Sequence, residues 1–264
     1  MTITFNLFPE GVSRALTMSY DDGQIHDLRL ARLFDRYGIK GTFHLNSSNI
    51  NRSGYLTDAI LIQDLKNHEI SAHTKTHPFL TKLPHPIVID EILEDKRQLE
   101  NMTGQIIRGM SYPYGQYHPD IITIARACGM EYSRTVESTN YFEVPDDFMM
   151  WHPTTHHNGP LTELWNKFIN HTPNKMLLFY VWGHSFEFAA QNNWEIIENF
   201  CELAGGNDDI WYATNAEICE YVNATRSILF NSNQTVAYNP TATKVWFTAD
   251  DHAVSVAPGQ TLRL

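Results

Sequence analysis

The sequence predicts an α/β barrel of seven strand–helix units over residues 1–226, followed by a small β appendage over 227–264. Three observations lead there. Short apolar strands alternate with amphipathic helical stretches along most of the chain, which argues for parallel strands joined by right-handed crossovers. Seven such units fit a closed barrel better than an open sheet. The strands end, one after another, in residues able to bind a metal or move a proton. From about Ser227 the period changes to short β segments separated by Asn, Pro, Asp and Gly.

Taken in order, residues 15–20 read as the first barrel strand, stopped by Asp21-Asp22-Gly23. Leu28, Ala31, Leu33 and Phe34 recur at helical spacing over 27–38, and Gly38 closes that helix. Residues 42–45 form the second strand. A helix over 57–67 has Thr57 as its cap and Ile60, Leu61 and Leu65 on its inner face. The third strand, 70–72, runs into His73-Thr74-Lys75-Thr76-His77-Pro78. A long helix covers 86–102, with Gly104 just beyond it. Residues 106–112 make a fourth strand ending in Pro113-Tyr114-Gly115, 118–128 a helix stopped by Gly129, and 131–136 a fifth strand. The stretch 137–159 carries Pro145, Pro153 and Gly159 and has no clean period; a loop that long in a compact domain is functional or disordered. A helix over 160–170 precedes the continuous apolar strand 177–182, which ends in Gly183-His184. A helix over 192–204, a strand over 210–213 and a helix over 214–224 complete the barrel. The appendage, with β segments at 228–230, 245–247 and 253–256, is under about 40 residues and too small to fold alone, so it is expected to pack on the barrel.

Composition narrows the function. A formal net charge of -11 argues against a phosphate-binding surface and against nucleic acid as a partner. No apolar run is long enough to span a bilayer. Met1-Thr2-Ile3-Thr4-Phe5 has neither a basic region nor an apolar core, so no signal peptide is read and the cytoplasm is the expected compartment. The sequon Asn101-Met102-Thr103 then carries no glycan. Cys128, Cys201 and Cys219 are widely spaced and odd in number, which reads as buried free thiols.

The chemistry gathers at the strand ends, which share one face in an α/β barrel. Asp21 and Asp22 end the first strand, His73 and His77 follow the third, and His184 follows the apolar strand. A helical turn over 73–77 would set the two imidazoles on one face, about 6 Å apart. Two imidazoles and one carboxylate make a catalytic metal set with open positions. Adjacent residues at a strand end point opposite ways, so one aspartate can hold the ion while the other stands free as a base.

These segments resemble the polysaccharide deacetylases, the NodB-like carbohydrate esterase family 4. Ser19-Tyr20-Asp21-Asp22-Gly23 matches the family's first motif and His73-Thr74-Lys75-Thr76-His77 its second, and the likeness covers about 14–220. The resemblance implies a distorted (β/α)7 barrel and hydrolytic removal of acetyl groups from N-acetylated saccharides. It implies Asp22, His73 and His77 as ligands of one divalent ion, zinc with cobalt or nickel as alternatives. Asp21 would be the base, His184 the general acid, and the backbone N–H of Tyr114 an oxyanion donor. The family's third motif places an arginine two residues before Pro113, where this chain has Ser111, read as a substrate-binding position beside Tyr114 and Trp151; Arg108 and Arg134 are the replacements for the arginine, and Arg134 is favoured for its strand-end position. No clear fourth motif is present. Trp151-His152-Pro153-Thr154-Thr155-His156-His157 stands in its place, to line a sugar cleft, form a second metal site, or simply be a solvated loop. Glu187 is a candidate partner for His184. Tyr114, Trp151 and Trp182 suit stacking on a pyranose ring, with a core position the alternative for Trp182. Two other activities fit the same motifs: hydrolysis of a formyl, cyclic-amide or O-acetyl group, and carbohydrate binding without turnover.

Overall fold

The computed structural model describes residues 1–264. β1 (Ile3–Thr4) leads to β2 (Arg14–Asp21), after which α1 (Asp27–Arg36), β3 (Gly41–Leu45), α2 (Asp58–Gln63), β4 (Glu69–Ala72), α3 (His85–Thr103), β5 (Gly109–Ser111), α4 (Pro119–Ala127) and β6 (Tyr132–Arg134) alternate. An irregular stretch reaches β7 (Thr155–His156). Then come α5 (Leu161–Asn170), β8 (Leu177–Gly183), α6 (Ser185–Gln191), α7 (Glu195–Ala204), β9 (Ile210–Tyr212) and α8 (Asn215–Arg226). Five short strands finish the chain: β10 (Leu229–Phe230), β11 (Val236–Tyr238), β12 (Val245–Ala249), β13 (His252–Val256) and β14 (Thr261–Arg263).

The barrel sheet runs β6-β5-β4-β3-β2-β8-β7, with β9 also on β2, and these pairings are parallel. The segment 151–156 spans its two sides. Trp151 exchanges backbone hydrogen bonds with Ser133 and Thr135 beside β6, at 3.1 and 3.0 Å, and Thr155–His156 pairs with β8. The result is a distorted (β/α)7 barrel. What read as an aperiodic loop therefore includes a sheet-bridging segment.

Alternation along the strands divides two environments. Leu16, Met18 and Tyr20 of β2 join the apolar layer under the helices, with Leu30, Leu33 and Phe34 of α1. The intervening Thr17, Ser19 and Asp21 are buried too, on the barrel's inner side. That interior is largely polar. At its base Glu69 accepts from Thr42 Oγ1 (2.9 Å), Tyr132 OH (2.7 Å) and the Ala216 amide (2.9 Å). The last contact sets a carboxylate on the first turn of α8, where free amides and the helix dipole favour negative charge. Thr214 and Glu217 form a capping box there.

The helix expected over 57–67 stops at Gln63, and the one expected over 192–204 is preceded by a separate helix, α6, which starts directly after His184. The C-terminal strands form two three-stranded sheets, β1-β12-β13 and β10-β11-β14. β1 comes from the chain's start, so the appendage recruits Ile3 and Phe5 to its small core around Val245, Phe247 and Val256. It meets the barrel at α8, where the Trp246 amide donates to Tyr221 OH at 3.1 Å.

Candidate active site

At the end of β2 the backbone turns left-handed at Asp22 and again at Gly23 (φ 81° and 68°). The turn separates the two aspartates. Asp21 faces the barrel interior at 3% exposure, while Asp22 lies half-buried at the rim. His73 leaves the end of β4 with Nδ1 2.9 Å from the Ser111 carbonyl. A carbonyl only accepts, so Nδ1 carries the proton and the Nε2 lone pair is free. That Nε2 lies 3.8 Å from Asp22 Oδ1, as does His77 Nε2. Such gaps are too long for hydrogen bonds, yet near the roughly 3–4 Å between neighbouring ligands on one ion. The donor set of Asp22, His73 and His77 thus fits one divalent ion in spacing, and His73 fits it in tautomer as well.

The two histidines do not meet on a helical turn, as their spacing suggested. Thr74 and His77 are left-handed (φ 65° and 59°), and the rings lie 4.7 Å apart across a loop. Asn46 Nδ2 donates to the carbonyls of His73 and Thr74 at 2.7 and 2.9 Å. Asp95 of α3, fully buried, accepts from the amides of Ser47 (2.7 Å) and His73 (3.0 Å). Sequence reading missed Asp95, although a signal existed: an aspartate in the apolar stripe of Val88, Ile92 and Leu99.

Arg134, at the end of β6 and fully buried, gives Nη2 to Asp21 Oδ2 and Nη1 to the Thr135 carbonyl at 2.9 Å. Its guanidinium lies 4.6 Å from the centre of the Trp182 ring. Burial alone would raise the Asp21 carboxyl; Arg134 foremost, then His73, His44 and His184, hold it well below the usual carboxylate range. Arg108 points elsewhere, to Glu131 and Glu220.

Two residues expected at the substrate surface are not there. Trp151 is fully buried, edge-on to Tyr132, Phe148 and Tyr180, so its ring cannot stack on a sugar. Ser111 is also fully buried; its Oγ, 3.2 Å from Asp21 and 2.7 Å from His73 Nδ1, braces both side chains from behind. Trp182 is buried at 9% exposure. Tyr114 is at the rim, 49% exposed, stacked on Phe79 (3.8 Å) and edge-on to His77 (4.5 Å).

His184 follows β8, and its Nδ1 lies 2.9 Å from Oε1 of Glu187 on α6. Burial opposes a charge on this imidazole, but Glu187 first, then Asp21 and Asp22, raise its pKa above the ordinary histidine value. The other oxygen of Glu187 faces His157 Nε2 at 3.0 Å and His156 Nε2 at 3.5 Å. This second trio has the spacing of a metal set but the wrong chemistry. His156 Nδ1 accepts the Asn158 amide at 3.2 Å, so in the neutral ring the proton sits on Nε2, which then has no lone pair to offer.

Residues 10–133 match the polysaccharide deacetylase family. YxkH of Bacillus subtilis, named for the polysaccharide deacetylases, is 26% identical over 127 residues; that match takes in 47% of this chain and 45% of YxkH. Among solved structures, a Mycobacterium smegmatis protein assigned by name to the polysaccharide deacetylases superposes with a TM-score of 0.63 at 16% identity, covering 85% of this chain and 96% of that one. The Xyl-CE4 domain of a multidomain xylanase from the hindgut metagenome of Trinervitermes trinervoides gives 0.57 at 17% identity, over 80% and 92% of the two chains. A CE4-family pseudoenzyme from Bacillus anthracis gives 0.51 at 16% identity, over 78% and 65%. At these identities the structures share the barrel with this chain and say nothing of its activity. The sequence match to the polysaccharide deacetylase family, over residues 10–133, covers somewhat under half of the chain and takes in Asp21, Asp22, His73 and His77.

Proposed function

We propose that the protein is a metal-dependent hydrolase that removes an acetyl group from an N-acetylated saccharide. The observation that carries this reading is the contrast at the end of β2: Asp22 stands with the Nε2 atoms of two imidazoles, while Asp21, one residue away, is held ionised by Arg134. Asp22, His73 and His77 would hold the ion; zinc suits these donors best, and cobalt or nickel also fit. When bound, such an ion polarises an acyl carbonyl and makes its water more acidic.

The chain's own residues supply the rest. Asp21 takes the proton from the attacking water, and Arg134 keeps it ionised and aimed. Developing negative charge on the acetyl oxygen meets the backbone N–H of Tyr114. His184, protonated beside Glu187, donates to the departing nitrogen. Tyr114, backed by Phe79, offers an exposed aromatic face to the sugar. The deciding experiment measures acetate release from N-acetylglucosamine oligomers, with and without a chelator and after adding back zinc, cobalt or nickel. Release that the chelator stops, that metal restores, and that Asp21→Asn abolishes is expected. Release indifferent to both chelator and Asp21→Asn would sink the proposal.

A further inference from the structure

The segment 156–158 closes around Glu187 from the side opposite His184. Glu187 lies three residues past His184 in the first turn of α6, a spacing that sets the two side chains together. Oε1 meets His184 Nδ1 at 2.9 Å, while Oε2 receives Asn158 Nδ2 at 3.1 Å and lies 3.0 Å from His157 Nε2. The His157 contact is close without being aligned as an in-line hydrogen bond. The His157 ring is fully buried, stacked on Tyr20 at 5.7 Å and packed on Phe188 at 4.1 Å. Its backbone amide donates to the Trp182 carbonyl at 2.9 Å, which ties the segment to β8. The ring also fills the space above Gly183, where a Cβ would lie 2.0 Å from Nδ1.

We propose that Glu187, held in register by the segment 156–158, governs the charge on His184, so that this segment is a positioning device for proton delivery to the leaving group. The delivery step rests on the function proposed above; the control of His184 by Glu187 does not. The groups around His184 agree. Glu187 faces it from its own helix and Asp21 and Asp22 from across the rim, while Asp27, buried beneath and bonded to Ser185, has its carboxyl pushed well up by burial. His156 and His157 are the nearby bases, and burial, the largest cause for each, lowers both pKa values, His156 to about 4. Both are therefore neutral near pH 7, dipolar neighbours that leave the negative charge of Glu187 intact. Arg134 spends its charge on Asp21.

The test is NMR titration of the imidazole Cε1–H signals of the full chain, with His184 assigned through His184→Gln. Glu187→Gln keeps the shape and removes the charge, and is expected to raise the acid constant of His184 by about tenfold or more. Asn158→Ala changes an exposed side chain, leaves the fold intact, and is expected to raise it by about threefold as Glu187 loosens. A Glu187→Gln titration within about twofold of wild type overturns the proposal. A shift in Glu187→Gln with none in Asn158→Ala overturns the positioning role of the segment. These outcomes hold whether or not acetate is released, so failure here is distinct from failure of the deacetylase reading. Where activity is present, the alkaline limb of its pH profile should move down with the titration.

Discussion

Replacing Arg134 with methionine would remove the guanidinium and keep much of the side-chain volume, leaving Asp21, only 3% exposed, without its countercharge. Breaking a buried pair from one side costs about 3–5 kcal/mol, because the surviving charge stays desolvated. Proton uptake caps that residual penalty. A carboxyl with an ordinary pKa near 3.9 can be neutralised for about 4 kcal/mol at pH 7 and about 1.5 kcal/mol at pH 5. The sign follows. In the wild type Asp21 is depressed, so its contribution is present at neutral pH and lost as pH falls; in Arg134→Met it is raised, so stability is lost as pH rises. The gap between the two proteins should therefore widen from pH 5 to pH 7 by about 2–3 kcal/mol, read from urea unfolding at both values. Asp21→Asn/Arg134→Met should recover most of the loss. With Asp21 protonated the proposed base is gone, and on that proposal acetate release should fall about 10²–10⁴-fold. A loss under about 1 kcal/mol at pH 7, or one equal at both pH values, would refute the claim that Arg134 is what keeps Asp21 ionised.

Three other perturbations have defined outcomes. Asp95→Ala takes the acceptor from the His73 and Ser47 amides, and by loosening the backbone of His73, a proposed ligand, should weaken zinc affinity about 10–100-fold in competition with a chromogenic chelator; unchanged affinity would make Asp95 irrelevant to the site. Gly183→Ala drives a methyl into the His157 ring and should cost about 1–3 kcal/mol, so an unchanged melting temperature would mean that the ring moves aside freely. Burial raises Glu69 to about 7. A raised carboxyl gives stability that is present below its unfolded pKa and lost as pH rises through about 7, so Glu69→Gln should flatten the fall in melting temperature between pH 5 and pH 8; a slope equal to wild type would refute it.

The strand–helix alternation was legible because each barrel strand is a short apolar run and each helix has one buried face; α1, with Leu30, Leu33 and Phe34 inward, is the plain case. What escaped depends on pairing across distance. β7 has two residues and no period of its own, and only β8 beside it makes it a strand. β1 is equally short and exists because β12 pairs with it from the far end of the chain. Trp151 looked like a sugar platform since an aromatic among histidines resembles a cleft. The backbone bonds of that residue to Ser133 and Thr135 turn it inward instead, and no sequence spacing encodes them.

The arginine at Asp21 shows the same limit within the site. Ser111 occupies the position where the family's arginine is expected, and read along the chain the guanidinium is absent. Across the sheet it is one strand away, because Ser111 of β5 and Arg134 of β6 are register partners at the same height in the barrel. A parallel sheet sets neighbouring strand ends about 5 Å apart, within the reach of an arginine side chain, so either strand can deliver the charge to Asp21. The small serine then leaves room for Arg134 to cross, and its hydroxyl takes up a second hydrogen bond to the same aspartate. What the chemistry requires of this position is a buried cation beside Asp21. Which strand carries it is a matter of register, and register appears only when the strands are paired.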